Sequence, residues 1–204
     1  MPVFIDDITI VSSSQSAIDS LVQQLSQRFK LRDLGPTDFL LGIKITQDLE
    51  SGTVSLSQRQ YCLDMLERYG MAQCNPVTTP INPGTILSSS MSPLSDSDCF
   101  FMQEKPHRNA VGALNYLATS TRPDIAYTVG KLARFGSNPG PEHWKAVTHL
   151  FRYIQGTLDY QLTYKRASTP IPFTTYSDSD HGGDIDSGKS TGGYLVMVSG
   201  GAVS

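Results

Sequence analysis

Two adjacent carboxylates near the amino terminus are the residues best suited to chemistry. Asp6 and Asp7 separate two short β-branched runs, residues 3–5 and 8–11, so the pattern predicts a hairpin with the acidic pair at its two-residue turn. Neighbouring carboxylates repel each other, and a divalent cation relieves the repulsion. Mg²⁺ commonly takes one or two protein carboxylates together with substrate phosphates. Because Asp-Asp is also a common polar turn, the pair by itself favours the plain turn.

The charge distribution offers a second pointer to chemistry. Residues 1–99 carry a net charge of −5, residues 100–166 carry +5 and residues 167–204 carry −3. Such asymmetry is expected where one part of a chain holds metal and another meets phosphate. Ordinary variation between solvated faces explains the same numbers, and from charge alone it is the favoured interpretation.

Composition bounds the class of protein. The chain has 204 residues, of which 39% are apolar and 17% charged, with a net charge of −3. These values exclude global disorder, and they predict no general attraction to nucleic acid or anionic membranes. No apolar run approaches the roughly 20 residues of a membrane span, and no secretory signal is visible. The three cysteines form no CxxC motif, so neither a disulfide framework nor a zinc site is expected. We therefore expect an intracellular, reducing location.

Hydrophobic periodicity predicts the elements that position these residues. A helix with an apolar face at positions 18, 21, 22, 25 and 29 follows the first hairpin. A second hairpin is predicted around Ser51-Gly52, then a helix over 57–70 that ends at Gly70. Helices are also predicted near 107–119, 123–136 and 141–156, and strands at 160–165, 172–180 and 193–199. Residues 71–106, rich in Pro, Ser and Asn, show no sustained period and are predicted to be a connection. This order predicts an α+β fold.

The motifs, taken in order, resemble a known family. They begin with Phe-Ile-Asp-Asp (4–7), Phe-Lys-Leu-Arg-Asp-Leu-Gly (29–35), Phe-Leu-Leu-Gly-Ile-Lys-Ile (39–45) and Leu-Ser-Gln-Arg-Gln-Tyr (56–61). They continue through Val111–Leu117, Thr121–Ile125, Arg152–Thr157, Tyr176–Asp180 and Lys189–Tyr194. Each motif is weak alone, but together they cover nearly the whole chain. In this order and spacing the sequence resembles the reverse transcriptase of copia-type retrotransposons.

The resemblance implies a domain organisation. Residues 1–70 would be the carboxyl-terminal palm hairpins and the start of the thumb of a polymerase, and 71–106 a Pro/Ser-rich connection. Residues 107–166 would be the helical thumb/connection region. Residues 167–204 would be the first strands of a truncated ribonuclease H-like sheet. The implied function is RNA-directed DNA polymerase with ribonuclease H.

The same resemblance assigns candidate catalytic carboxylates. Asp6 and Asp7 match the palm signature and would bind Mg²⁺, with Mn²⁺ as a substitute. Asp178 matches the first carboxylate of ribonuclease H, at the centre of that domain's first strand, and would also bind metal. Asp180 lies nearby with a weaker claim, and His181 is more typical of a solvated loop.

Candidate nucleic-acid contacts also follow from the resemblance, with a template-primer duplex of RNA and DNA as the partner. Gly42 would let the backbone approach nucleic acid closely, although a β-bulge glycine is an equal interpretation. On the predicted helix 141–156, Lys145, His149 and Arg152 lie opposite an apolar face and would meet duplex phosphates. A solvated helix face explains them at least as well.

We expect the chain by itself to lack both activities. In the family, the polymerase site includes a third carboxylate from an upstream strand, and ribonuclease H adds carboxylates further along the chain. The sequence is thus expected to be a remnant, or a fragment of a polyprotein whose remainder is its partner. A nucleic-acid-binding or self-associating module without catalysis is the alternative. A phospho-acceptor receiver domain is a third hypothesis, disfavoured because residues 71–106 lack the regular βα alternation it needs.

One further motif is set aside. Residues 183–190 satisfy the phosphate-binding pattern G-x-x-x-x-G-K-[ST]. A functional loop of this kind follows a strand and opens a helix. Here the following residues predict a strand, and Asp184 and Asp186 would repel phosphate. We therefore expect a hairpin loop.

Overall fold

The computed structural model describes residues 3–4, 7–166 and 173–204. The chain divides into two compact units, residues 1–40 and 41–204, and each is described by itself. Among the described residues, no helix has both the length and the apolar character that a bilayer crossing needs.

The first unit contains one hairpin, one helix and a short strand. Strands β1 (Val3–Phe4) and β2 (Asp7–Ile8) pair antiparallel, with Val3 opposite Ile8 and Phe4 opposite Asp7. Helix α1 (Gln15–Ser26) and strand β3 (Phe39–Leu40) follow. The predicted hairpin is therefore present, but Asp7 lies in a strand rather than in the turn. The reason is the register, because pairing Phe4 with Asp7 leaves two residues to connect the strands.

The second unit alternates between sheet and helix. Its elements are β4 (Ile43–Asp48), β5 (Thr53–Ser57), α2 (Arg59–Arg68), α3 (Asp96–Gln103), α4 (His107–Ser120), α5 (Ala126–Ala133), α6 (Pro141–Gly156), β6 (Leu162–Lys165), β7 (Phe173–Ser179), β8 (Gly192–Val198) and β9 (Gly201–Ala202). Single 3₁₀ turns occur at Ser89–Met91 and Pro123–Ile125. The mixed α and β composition agrees with the α+β class predicted from the sequence.

Two antiparallel sheets belong to this unit. In the first, β5 lies between β4 and β6, with Ile45 opposite Leu56 and Leu56 opposite Leu162. In the second, β8 lies between β7 and β9. The two sheets meet where β6 runs beside β9: Lys165 N–H donates to the carbonyl of Ser199 at 2.8 Å. An added Cβ on Gly201 would lie 2.5 Å from the Tyr164 ring, so this close approach requires glycine.

The hydrophobic core lies among helices α2, α4, α5 and α6. On α6, Val147, Leu150, Phe151 and Ile154 are fully buried, at the i, i+3, i+4 and i+7 spacing that forms one helical face. They pack with residues of the other three helices in a single cluster. Each such side chain contributes about 1.5–3 kcal/mol through burial. These helices therefore form the rigid body to which the sheets attach.

Helix α3 was not predicted. It occupies part of the segment 71–106, which the sequence indicated as a connection. Ser95 caps it by accepting the backbone N–H of Asp98 at 3.1 Å, and Asp96 and Asp98 stand in its first turn, where carboxylates favour a helix. Its apolar residues, 99–102, are consecutive and only Met102 is buried. Hydrophobic periodicity could not reveal the helix, because four consecutive apolar residues point in different directions around a helix and do not form one apolar face.

Candidate functional site

The acidic hairpin is described only in part. The backbone of Asp7 forms the last pair of the β1–β2 ladder, opposite Phe4, whereas Asp6 lies outside the described residues. The position of Asp7 next to a two-residue connection is compatible with the predicted palm hairpin. The metal-binding roles of Asp6 and Asp7 remain predictions.

Asp178 stands on strand β7, where the sequence placed it, but not at the strand's centre. It is the penultimate residue of β7 (Phe173–Ser179), opposite Gly193, and it is exposed. Its Oδ1 accepts the backbone N–H of Ser179 at 2.8 Å. Among the described residues, no three His, Cys, Asp or Glu side chains are grouped as metal ligands. The metal-binding role of Asp178 therefore remains a prediction.

The neighbouring loop, residues 180–191, uses its carboxylates to organise backbone. Asp180 accepts the N–H groups of Thr191 at 2.7 Å and Gly183 at 3.2 Å. Strand β8, rather than a helix, follows the loop. The phosphate-loop pattern is thus coincidental, as expected from the sequence, because the anion-binding end of a helix is missing there.

Two further carboxylates of this loop reach the helical core. The guanidinium of Arg134 pairs with Asp184 at 2.5 Å and, with a hydrogen bond from Ser187, lowers the pKa of that carboxyl to about 2. Asp186 accepts the hydroxyls of Ser88 and Ser89, each at 2.8 Å, and these bonds lower its pKa. The loop is therefore committed to internal contacts.

Gly42 lies in a tight turn before β4. Its φ is +75° and that of Leu41 is +50°, so two successive residues occupy the left-handed region that favours glycine. The hydroxyl of Tyr116 donates to the carbonyl of Leu41, and an added Cβ on Gly42 would lie 3.6 Å from that hydroxyl. The turn itself explains the glycine, and its role in binding nucleic acid remains a prediction.

The basic residues of α6 contact the segment that precedes α3. Nε2 of His149 lies 2.9 Å from the carbonyl of Thr79, and Nε of Arg152 donates to the carbonyl of Asn75 at 2.7 Å. Lys145 is exposed and pairs with Glu142 one turn earlier at 2.5 Å. His149 and Arg152 therefore fasten residues 75–79 to α6. None of these contacts tests the predicted phosphate binding.

A groove of about 420 Å³ runs along this face of α6. Its walls combine the three basic side chains with apolar ones from the segment before α3, among them Ile81, Ile86 and Met91. The groove also includes Glu142, which pairs with Lys145. The amino group of Lys145 has further hydrogens besides the one directed at Glu142, and the terminal nitrogens of Arg152 are not used in its bond to Asn75, so both side chains offer donors to a phosphate there.

A buried ionic network, which sequence reasoning missed, joins the connection between α4 and α5 to the end of α6. Arg122, 3% exposed, donates to both carboxylate oxygens of Asp124 and to the carbonyl and hydroxyl of Thr157. The hydroxyl of Tyr153 donates to Asp124 at 2.9 Å. Burial disfavours the charge of Arg122, yet Asp124 outweighs burial and raises the pKa of the guanidinium. The only available signal was the Thr-Arg-Pro-Asp-Ile motif, which entered through resemblance.

Two histidines are buried beside the core. His107 opens α4 and is 2% exposed, and His143, in the first turn of α6, is fully buried. Nδ1 of His143 accepts the N–H of Gly140 at 2.9 Å, and its ring stacks on Phe135 at 4.0 Å. Neither ring nitrogen of His107 has a hydrogen-bond partner among the described residues. Burial, with the charge of His143, lowers the pKa of His107 to about 4.

Comparison with known proteins gives the chain its relatives. The profile of the reverse transcriptase (RNA-dependent DNA polymerase) family matches residues 1–83. The chain is 42% identical over 201 residues, 98% of its length, to the retrovirus-related Pol polyprotein from transposon TNT 1-94 of Nicotiana tabacum. It is 38% identical over 97% of its length to the Pol polyprotein from transposon RE1 of Arabidopsis thaliana. No solved structure matches the chain.

The relatives differ in how much of them the chain covers. It spans 15% and 13% of the two Pol polyproteins. It covers 77% of the uncharacterized mitochondrial protein AtMg00810 of Arabidopsis thaliana, with 33% identity over 195 residues. These matches, which extend over 96–98% of the chain, confirm the resemblance that the motifs indicated. The chain belongs to the copia-type retrotransposon reverse transcriptase family.

Proposed function

We propose that the chain is the segment of a retrotransposon RNA-directed DNA polymerase that runs from the palm hairpin to the first strands of ribonuclease H. Residues 1–70 are assigned to the palm and early thumb, 107–166 to the thumb/connection and 167–204 to the ribonuclease H-like sheet. Identity of 42% over 98% of the chain to a retrotransposon Pol polyprotein carries this proposal. The β1–β2 ladder ending at Asp7 supports it.

In this proposal Asp6 and Asp7 hold Mg²⁺ or Mn²⁺ within the longer polyprotein. Carboxylate oxygens are the donors that these hard cations prefer. Bound there, a pair of such ions would stabilise the attacking and leaving oxygens of an in-line phosphoryl displacement. The chain would contribute the β1–β2 hairpin, whose described ladder ends at Asp7. The third carboxylate and the fingers would come from other parts of the polyprotein.

A segment exchange tests the polymerase assignment. The homologous segment of the tobacco TNT 1-94 polyprotein is replaced by this chain, and primer extension on an RNA template is measured with Mg²⁺. We expect extension by the exchanged protein, and a loss of at least about 10³-fold on Asp6→Asn or Asp7→Asn, as for removal of a catalytic group. Asp19→Asn, on α1, is the matched control and should retain activity. Extension that survives both hairpin substitutions would reject the assignment.

Nucleic-acid binding without catalysis is the second candidate, favoured by the groove along α6. The segment 100–166 carries a net charge of +5, and Lys145 stands exposed at the groove. An RNA–DNA hybrid should bind the isolated chain with an affinity that falls linearly with salt on logarithmic axes. Lys145→Ala should reduce the slope by about one phosphate contact, whereas Lys189→Ala should not. A flat salt response would eliminate this candidate.

A further inference from the structure

The three-stranded sheet β7–β9 packs against the rest of the second unit, although little of its surface is buried. All seven residues of β7 are exposed, and Phe173 and Tyr176 are 74% and 58% exposed. Among the strand residues of this sheet, Gly201 is the one that is buried. Residues 195–198 of β8 are half-buried. Burial of apolar surface therefore supplies little of the free energy that holds β7 in place and only part of that for β8. Polar contacts must supply much of the rest.

Some of those contacts join β9 to β6, where Lys165 N–H donates to the carbonyl of Ser199 and the Tyr164 hydroxyl donates to the carbonyl of Ala202 at 2.6 Å. The contacts on the side of β7 and β8 come from the loop between these two strands. Asp184 pairs with Arg134, which follows the last turn of α5. Asp186 accepts the hydroxyl of Ser88 and both the backbone N–H and the hydroxyl of Ser89, each at 2.8 Å. The loop therefore bridges to two separate places on the helical part, the end of α5 and the start of a 3₁₀ turn.

The bonds are of the stronger kind. Each has an ionised carboxylate as acceptor, and such charge-assisted hydrogen bonds are roughly twice as strong as neutral ones. In this pair the Asp184 side chain is 10% exposed and that of Arg134 is 39% exposed, so water and salt screen the attraction in part.

We infer that the loop 180–191 is a latch made of charged contacts: while Asp184 and Asp186 contact Arg134, Ser88 and Ser89, strands β7 and β8 are held against the helices. Losing these contacts frees β7 and β8, whereas β9 stays beside β6. In the released state β7 is an exposed edge strand paired only with β8 within the described sheet, and two paired strands without packing on another element are marginal in water. The amide hydrogens of β7 and β8 should then exchange rapidly. This inference does not rest on the polymerase assignment, because it concerns contacts within the chain.

Hydrogen exchange on the full chain tests the latch. In the double variant Asp184→Asn/Asp186→Asn, we expect the amides of β7 and β8 to exchange on the order of tenfold faster, because a sub-global opening becomes easier. Amides of α4 and α6 should keep their wild-type rates. Lys189→Ala removes a charge from the same loop without touching a latch contact, and it is the control that should leave both sets unchanged.

Two further variants guard against a misfolded double mutant. Ser89→Asp places a carboxylate against Asp186 at an exposed position and should accelerate β7 and β8 selectively. Arg134→Asp should do the same, and Asp184→Arg added to Arg134→Asp should restore protection by reversing the pair. Unchanged exchange in β7 and β8 across these variants would overturn the inference. Acceleration that is equal in the helices and the sheet would also overturn it, because it would mean global destabilisation.

Discussion

The helical core should become less stable as the pH is lowered from neutral to mildly acidic, because two histidines are buried in it. His107 and His143 are at most 2% exposed, and burial lowers the pKa of both. An unfolded histidine titrates near pH 6.5, so the unfolded chain binds protons before the folded one. Protonation of His143 also costs a hydrogen bond, because an imidazolium cannot accept the N–H of Gly140. Stability is therefore full above about pH 7 and declines as pH falls towards 4.

The magnitude follows from the pKa of His107. A shift from 6.5 to about 4 corresponds to about 3 kcal/mol once the ring is protonated in both states, at 1.36 kcal/mol per unit. At pH 5 the same linkage gives about 2 kcal/mol, which we halve to about 1 kcal/mol because water and side-chain relaxation screen the charge. The carboxylates with lowered pKa, Asp48, Asp184 and Asp186, lose their contribution only at more acid pH, below their unfolded pKa near 3.9.

Urea unfolding monitored by far-UV circular dichroism measures this effect. The free energy of unfolding is compared at about pH 7.5 and about pH 5 for the wild type and for His107→Leu. In the wild type we expect His107 to contribute about 1 kcal/mol to the decrease at pH 5, and this contribution should be missing in His107→Leu. His181→Gln, which changes an exposed loop histidine, is the control and should keep the wild-type difference. If His107→Leu retains the whole pH dependence, the assignment of the effect to this buried ring is refuted.

Two substitutions test the packing of the helices. Arg122→Met leaves Asp124 without its partner and should cost about 3 kcal/mol in urea unfolding; a loss below about 1 kcal/mol would contradict a structural role for the network. Gly140→Ala should destabilise by about 2 kcal/mol or more, because its Cβ would lie 1.8 Å from the carbonyl oxygen of Met91. Gly130→Ala, in α5 with open space around it, should instead stabilise by about 0.5–1 kcal/mol. If Gly140→Ala proved more stable than Gly130→Ala, the close contact of Gly140 with Met91 would be refuted.

Helices with a regular apolar period were predictable from the sequence. On α6, the apolar face that includes Val147, Leu150 and Phe151 is the face that the structure buries, and Gly70 ends α2 with φ +67°. Helix α3 was not predictable, because its apolar residues are adjacent and its stability comes from a serine cap and early carboxylates. Asp7 was predicted in the turn but lies in β2, because the register of the strand ladder and not composition decides which residues pair.

Candidate site residues were less predictable than elements. The sequence placed Asp178 on a strand and Lys145, His149 and Arg152 on one side of a helix. It could not show that His149 and Arg152 hold the backbone of residues 75–79, since those partners lie about 70 positions away. The same limit hid the pairing of Arg134 with Asp184.

The sequence by itself determined the family and the principal helices, because ordered motifs and a 3.6-residue apolar period are local properties of the chain. Tertiary structure alone decided what the charged side chains do. Arg122 became a buried partner of Asp124, and Asp184 and Asp186 became contacts to the helices. The physical reason is that the free energy of a charge depends on its burial and its partners, and distant segments supply both only after the chain has folded.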